Sequence, residues 1–318
     1  MKEKLMDIGF IGLGNMGGAM AVNILKAGYK LTGHDRRPEA KKLLQENGGT
    51  WAATPREVAA SSDIVFTSLP GPKEVEAVAL GKDGVSEGIR PGAVYIDLTT
   101  STPMLARRIA GVLAERKAHM MDAPVAGGPP VARSARLTVM AGGDEDIFNR
   151  CLPVLKAIGD TIVYTGGVGT ACICKLVHNL IAYSYMFIAG EGMTLGVKAG
   201  VSPRVMWRVL KDGGVGRGNF FKRVLPEIYL PGRFEPPNFT VNLAVKDISL
   251  ALDLAREFEV PMPMSQMTLP ELIAAAGRGW GEKDSRIAML LQEERAGNVE
   301  VRVSDAEIAE EMADQQGT

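Results

Sequence analysis

Short apolar runs and longer amphipathic stretches alternate through the first half of the chain, and the alternation then stops. Between Met6 and about Gly166, runs of four or five residues read as strands: Ile8–Gly12, Lys30–His34, Ile64–Ser68, Val94–Leu98, His119–Asp122, Leu137–Ala141 and Thr161–Tyr164. Helical patterns lie between most of them, for example Ala40–Glu46, Val75–Ala79 and Thr102–Arg116. Strands that alternate with helices predict a mostly parallel, doubly wound sheet.

After Gly169 no further run reads convincingly as a strand. Helical patterns follow at Cys172–Lys198, Pro203–Lys211, Phe220–Leu225, Leu243–Glu257, Met264–Ala276 and Asp284–Glu294. The first spans about 27 residues, or ~40 Å at 1.5 Å per residue, long enough to bridge two domains. Glycine and proline cluster at Gly213–Gly218 and Pro231–Pro237, which reads as loops between helices. The acidic stretch Asp305–Thr318 continues a surface helix and then frays. The expected architecture is α/β: a doubly wound parallel-sheet domain over residues 1–168, then an all-α domain over 169–318, joined by a long interdomain helix.

The first strand ends in a glycine pattern. Residues 9–20 read GFIGLGNMGGAM, with Gly12, Gly14 and Gly17 at G-x-G-x-x-G spacing, a helical run from Ala19 to Lys26, and Asp35 at the end of the next strand. Strand, turn, helix, strand and terminal acid in that order are the fingerprint of a Rossmann dinucleotide-binding unit. Gly12 makes the tight turn, Gly14 lets backbone approach a pyrophosphate, and Gly17 lets helix pack on strand. Leu13, Asn15 and Met16 complete the loop. Asp35 accepts the ribose hydroxyls and repels a 2′-phosphate, which favours NAD. Arg36 and Arg37 follow at once and offer that phosphate a partner, so NADP stands as a second cofactor.

Composition narrows the class without changing it. The chain has 318 residues, 46% hydrophobic and 23% charged, with a formal net charge of −1. That balance gives no electrostatic reason to expect nucleic acid or an acidic membrane surface as partner. Cys151, Cys172 and Cys174 make no disulfide framework and suit a reducing cytoplasm. They have no second pair at zinc spacing, so no metal is expected. No uninterrupted run of 18 apolar residues occurs, so no membrane-spanning helix is expected, and MKEKLMDIGF does not read as a signal peptide.

Ligands of such sheets bind beyond the carboxyl ends of the strands. Leu69 and Pro70 follow the third strand run, Thr99, Thr100 and Ser101 the fourth, and Ala123-Pro124-Val125-Ala126-Gly127-Gly128 the fifth. The diglycine offers backbone N–H groups to an anionic substrate, with no side chain to block the approach. Lys175 stands among apolar neighbours near the start of the long helix, with Asn179 four residues on. A lysine drawn from water has its charged form disfavoured, which suits proton transfer. A lysine that snorkels to solvent is the competing reading.

Together these segments resemble the β-hydroxyacid dehydrogenase family over nearly the whole chain, from Ile8 to about Glu294. The resemblance rests on GFIGLGNMGGAM, Ser68-Leu69-Pro70, Asp97-Leu98-Thr99-Thr100, DAPVAGG at Asp122–Gly128, Gly169 through Lys175 to Asn179, and Lys246 in VKDISLALDLA. It implies hydride exchange between a nicotinamide cofactor and the alcohol or aldehyde carbon of a short β-hydroxy acid or its semialdehyde. It implies Lys175 as general acid/base and Asn179 orienting the substrate oxygen. It further implies Ala126, Gly127 and Gly128 at the substrate carboxylate, Leu69, Pro70, Thr100 and Lys246 at the cofactor, and a homodimer or homotetramer with the long helix in its interface.

The chain departs from the family in one loop. Ala126 stands where the family has serine, Pro129-Pro130-Val131 replaces a stretch of small residues, and Ala171 replaces a glycine before the lysine. Arg133, Arg136 and Arg217 are candidates to supply lost anion affinity. Two further readings are a dinucleotide-binding protein without turnover and an imine-reducing relative. Lys175 and Asn179 argue against the first, and Lys175 against the second.

Overall fold

The computed structural model describes residues 6–218, 220–257, 259–298 and 300–314. Nine strands form one sheet: β1 (Ile8–Ile11), β2 (Leu31–His34), β3 (Thr50–Trp51), β4 (Ile64–Thr67), β5 (Val94–Asp97), β6 (His119–Asp122), β7 (Val125–Ala126), β8 (Leu137–Gly142) and β9 (Gly159–Gly166). Their order is β3-β2-β1-β4-β5-β6-β8-β7, with β9 on the other edge of β8. The first six strands run parallel in the 3-2-1-4-5-6 order of a Rossmann sheet. Register aligns Ile11 with Thr67, Thr67 with Asp97, and Asp97 with Asp122, so four strands end level at the carboxyl edge.

Alternate residues of these strands feed a core on each face. Phe10, Phe66 and Ile96 pack on one side, and Ile11, Val65 and Tyr95 on the other. Burial on both faces explains why the strands read as unbroken apolar runs. The helices α1 (Gly17–Lys26), α2 (Ala40–Glu46), α3 (Pro55–Ala60), α4 (Pro72–Leu80), α5 (Val85–Gly88), α6 (Pro103–Glu115), α7 (Gly128–Arg133) and α8 (Glu145–Leu155) connect the strands. The pattern missed β3 and β7, each two residues long, and β8 runs antiparallel to β6 and β7.

The second half is helical: α9 (Thr170–Lys198), α10 (Pro203–Asp212), a π-helical stretch Phe220–Tyr229, α11 (Val241–Glu257), α12 (Thr268–Ala275), α13 (Leu290–Arg295) and α14 (Asp305–Asp314). Among the described residues it contains no strand, only a bridge between Thr240 and Asp284. The expected α/β class with a helical C-terminal half is therefore observed. Contacts divide the chain into two compact units, Met1–Ile181 and Ala182–Thr318, with α9 running from one into the other. An 18-residue window of α9 has a mean hydropathy of 1.4, and among the described residues this is the one helix long and apolar enough, by length and composition, to cross a membrane.

Candidate active site

The glycine loop shows three different constraints. Gly12 has φ +92°, and a Cβ there would come within 2.3 Å of the Ser68 carbonyl oxygen. A Cβ on Gly17 would lie 1.9 Å from the Gly12 carbonyl oxygen, so helix and turn touch backbone to backbone. Gly14 is different: its nearest neighbour would be Arg37 Nη2 at 3.8 Å, and the missing side chain leaves open space. That space belongs to a cleft of about 590 Å³ lined by Gly12, Gly14, Asn15, Met16 and Gly17, with Asp35, Arg36, Arg37, Leu69 and Pro70 around them. Its size suits a cofactor site. Leu13 contributes only its backbone, because its side chain is buried in the core.

Asp35 sits buried at the end of β2 with both oxygens engaged. Oδ2 accepts the Leu13 amide at 2.7 Å and Arg37 Nη2 at 3.2 Å; Oδ1 accepts the Arg37 amide at 2.8 Å and Arg37 Nε at 3.0 Å. Burial opposes ionisation, but the Arg37 guanidinium and the two amides outweigh it and hold the carboxyl below its ordinary range. The guanidinium on Asp35 belongs to Arg37; Arg36 is exposed.

At the level strand ends, Thr67 Oγ1 donates to Asp97 Oδ1 at 2.8 Å, and the Thr99 amide reaches the same oxygen at 3.1 Å. Burial pushes the Asp97 carboxyl up to about 6, against the hydrogen bonds from Thr99 and Thr67 that favour its charged form. The Leu69 amide donates to Thr99 Oγ1 at 3.0 Å and ties the loop after β4 to the loop after β5. Thr100 is exposed beside it. Ser101 Oγ is buried and has no partner among the described residues.

The loop after β6 carries Ala126 in β7, paired with Thr138 of β8. Gly127 and Gly128 follow with φ +134° and +73°. Pro129 and Pro130 fall in the first turn of α7, where a missing N–H costs nothing. Of the candidate arginines, Arg133 lines a groove along α1 with Lys26 and Arg37. Arg136 pairs with Asp160 at 3.1 Å, and Arg217 belongs to the second unit.

Lys175 is 7% exposed. Its neighbours Ile173, Leu176 and Val177 are exposed, while Lys175 and half-buried Asn179 share the inward face of α9. Desolvation lowers the lysine pKa, and among the described residues no carboxylate pairs with its ammonium. Asn179 Oδ1 lies 3.2 Å from His178 Nδ1. The start of α9 is held from afar: Asp122 accepts the Gly169 amide at 2.7 Å and the Cys172 amide at 2.8 Å. Sequence reasoning placed Thr99 in a ligand-binding loop and assigned no role to Asp122 or Asp97. The side chain of Lys246 lies outside the described residues.

Comparison with known proteins identifies the family. The profile of the NAD binding domain of 6-phosphogluconate dehydrogenase matches residues 7–166. That described as NAD-binding of NADP-dependent 3-hydroxyisobutyrate dehydrogenase matches residues 169–292. The chain belongs to the β-hydroxyacid dehydrogenase family. It is 34% identical to 2-(hydroxymethyl)glutarate dehydrogenase of Eubacterium barkeri, over 93% of this chain and 97% of that one. It also resembles the crystal structure of 3-hydroxyisobutyrate dehydrogenase from Salmonella typhimurium at 31% identity and a TM-score of 0.60, covering 89% of this chain and 99% of that one. An imine reductase from Pseudomonas sp. shares the fold at 20% identity and a TM-score of 0.75, covering 90% of this chain and 99% of that one.

Proposed function

We propose that the protein is a nicotinamide-dependent dehydrogenase or reductase acting on the CH–OH group of a short β-hydroxy acid, or on the matching semialdehyde. The class includes 3-hydroxyisobutyrate, tartronate semialdehyde and related compounds. The observation that carries this reading is Lys175, buried and unpaired near the start of a helix fixed at the carboxyl edge of a dinucleotide-binding sheet. Lys175 takes the hydroxyl proton in oxidation and returns it in reduction, and Asn179 orients the oxygen that carries it. The Gly127 and Gly128 amides bind the substrate carboxylate, with Ala126 beside them. Lys175 also weighs against imine reduction, and with Asn179 against a binder without turnover.

The open space at Gly14 fits a pyrophosphate, and Asp35 fits an adenosine ribose. The loop Gly12–Gly17 would hold the phosphates, Arg36 the adenosine side, and Leu69, Pro70, Thr100 and Lys246 the rest of the cofactor toward its nicotinamide. A bound nicotinamide accepts or donates the hydride. NAD is preferred, because ionised Asp35 repels a 2′-phosphate, and NADP is the second cofactor.

A second copy of the chain covers the exposed apolar residues of α9, among them Leu176, Ile181, Tyr185 and Met186, giving a homodimer or homotetramer. Free Cys151, Cys172 and Cys174 suit the cytoplasm. The test of function is a screen of short hydroxy acids, semialdehydes and their sulfonate analogues, with NAD(H) and NADP(H) side by side, read by nicotinamide absorbance. Turnover of a β-hydroxy acid or its semialdehyde supports the reading. Cofactor binding without turnover of any of them overturns it.

A further inference from the structure

The ammonium of Lys175 has no hydrogen-bond or ion-pair partner among the described residues, so nothing at its own tip fixes where it sits. Its placement comes from the backbone of α9. The first amides of a helix have no intrahelical acceptor. In α9, the Thr170 amide turns back to the Gly167 carbonyl and the Ile173 amide to the Gly169 carbonyl. The Cys172 amide, and the Gly169 amide just before the helix, are both taken by Asp122 at the end of β6.

That carboxylate is 1% exposed and has little freedom to move. A Cβ on Gly142 of the neighbouring β8 would come within 2.8 Å of Asp122 Oδ1 and 2.9 Å of Thr170 Oγ1, so strand, carboxylate and helix start are in close contact. Cys172 and Lys175 are three residues apart on one helix face, both buried, while Ile173 and Cys174 between them are exposed. A shift of the Cys172 amide therefore carries the lysine with it. Charge adds to geometry, since a carboxylate at a helix N-terminus is favoured by the helix dipole.

We propose that Asp122 is a positioning residue for Lys175, a buried carboxylate that sets the start of α9 on the end of β6 and so sets the height of the amine over the strand ends. The proposal rests on the reading of Lys175 as the acid/base. Asparagine at this position keeps the shape but turns one acceptor into a donor that faces an amide N–H.

The test is a double-mutant cycle on the full chain. Asp122→Asn should lower kcat about 10- to 100-fold, the penalty for misplacing a catalytic group by about 1 Å, while the Kd for NADH moves less than about threefold. In a Lys175→Ala background the same substitution should change the residual kcat by less than about threefold, because the group it positions is gone. Asp122→Ser removes the facing donor but ends one atom short of both amides, so it should also lower kcat, and it carries the cycle if the asparagine variant does not fold. Equal losses in both backgrounds, or a normal kcat in Asp122→Asn, overturn the proposal. A near-normal kcat in Lys175→Ala alone shows instead that the reading of the lysine has failed, and takes the proposal with it.

Discussion

Asp35 and Arg37 form an ion pair at 3.0 Å across a single intervening residue, and the guanidinium also reaches the second carboxylate oxygen at 3.2 Å. The carboxylate that would meet a ribose therefore already carries the cation that would meet a 2′-phosphate.

Cofactor choice should follow that pair. Wild type is expected to show the higher kcat/KM with NAD. Asp35→Ala should cost NAD about 10-fold or more, the worth of a charge-assisted hydrogen bond, and raise kcat/KM with NADP by freeing Arg37. Adding Arg37→Ala should cancel the NADP gain. Steady-state kinetics with both cofactors decide the matter, and a wild type faster with NADP refutes the expectation.

Gly14 and Gly17 should fail in different ways. Gly14→Ala has room in the free protein, so its melting temperature should stay close to wild type while the Kd for NADH rises about 10-fold or more. Gly17→Ala drives a Cβ to 1.9 Å from a backbone oxygen and should unfold well below wild type. Thermal melts and a fluorescence titration separate the two. Loss of stability in Gly14→Ala with normal cofactor binding would contradict the geometry.

Lys175→Ala should lower kcat by ~10²-fold or more with NADH binding retained, since acid–base assistance contributes ~10²–10⁴-fold. The lowered lysine pKa gives the pH sign. Oxidation needs the neutral amine, so kcat for oxidation should rise with pH and level off below pH 10.5, the ordinary lysine value. In Lys175→Ala that rise should be gone; a profile of unchanged shape would assign the titration to another group.

Ala126→Ser asks what the altered loop accommodates. If the pocket takes an ordinary small carboxylate, the added hydroxyl should lower KM by at most about tenfold, the low end for a donor to a charged acceptor. If alanine makes room for a larger or differently charged group, serine should hinder the best substrate and leave small acids slow. The second outcome is expected, because Pro129, Pro130 and Val131 reshape the same loop. Equal improvement on every substrate would count against it.

Asp97→Asn probes burial at the strand ends. The wild-type carboxyl, raised to about 6 by burial, holds a proton that the unfolded chain has released from about 3.8 upward. Its stabilising share is full below the unfolded value and fades as pH rises through 6. Asparagine should therefore gain on wild type by on the order of 2–3 kcal/mol between pH 4 and pH 7.5 in urea unfolding. Parallel pH curves would show that Asp97 ionises freely.

Much of this was legible in the sequence because the signals are local. The glycine spacing, the acid after β2, and Lys175 with Asn179 four residues on each lie within a few residues of the element that presents them. What escaped depends on segments that meet only after folding, or that are too short to show a pattern. The reversed direction of β8 leaves no mark on its apolar run, and two-residue strands such as β3 and β7 are too short to show a period. Asp122 was visible as part of DAPVAGG, but its partners lie 47 and 50 residues on. Arg36 and Arg37 are adjacent in sequence, and only the turn after β2 determines which one folds back.

The reach of the Asp122 contact also bears on the order in which the molecule assembles. Closing a loop of that length costs chain entropy before any contact repays it. β8 and β9 lie within that loop, so the first turn of α9 gains its anchor only once β6 has found its place beside β8. In refolding, the sheet should regain its signature first, and turnover should return in a later phase.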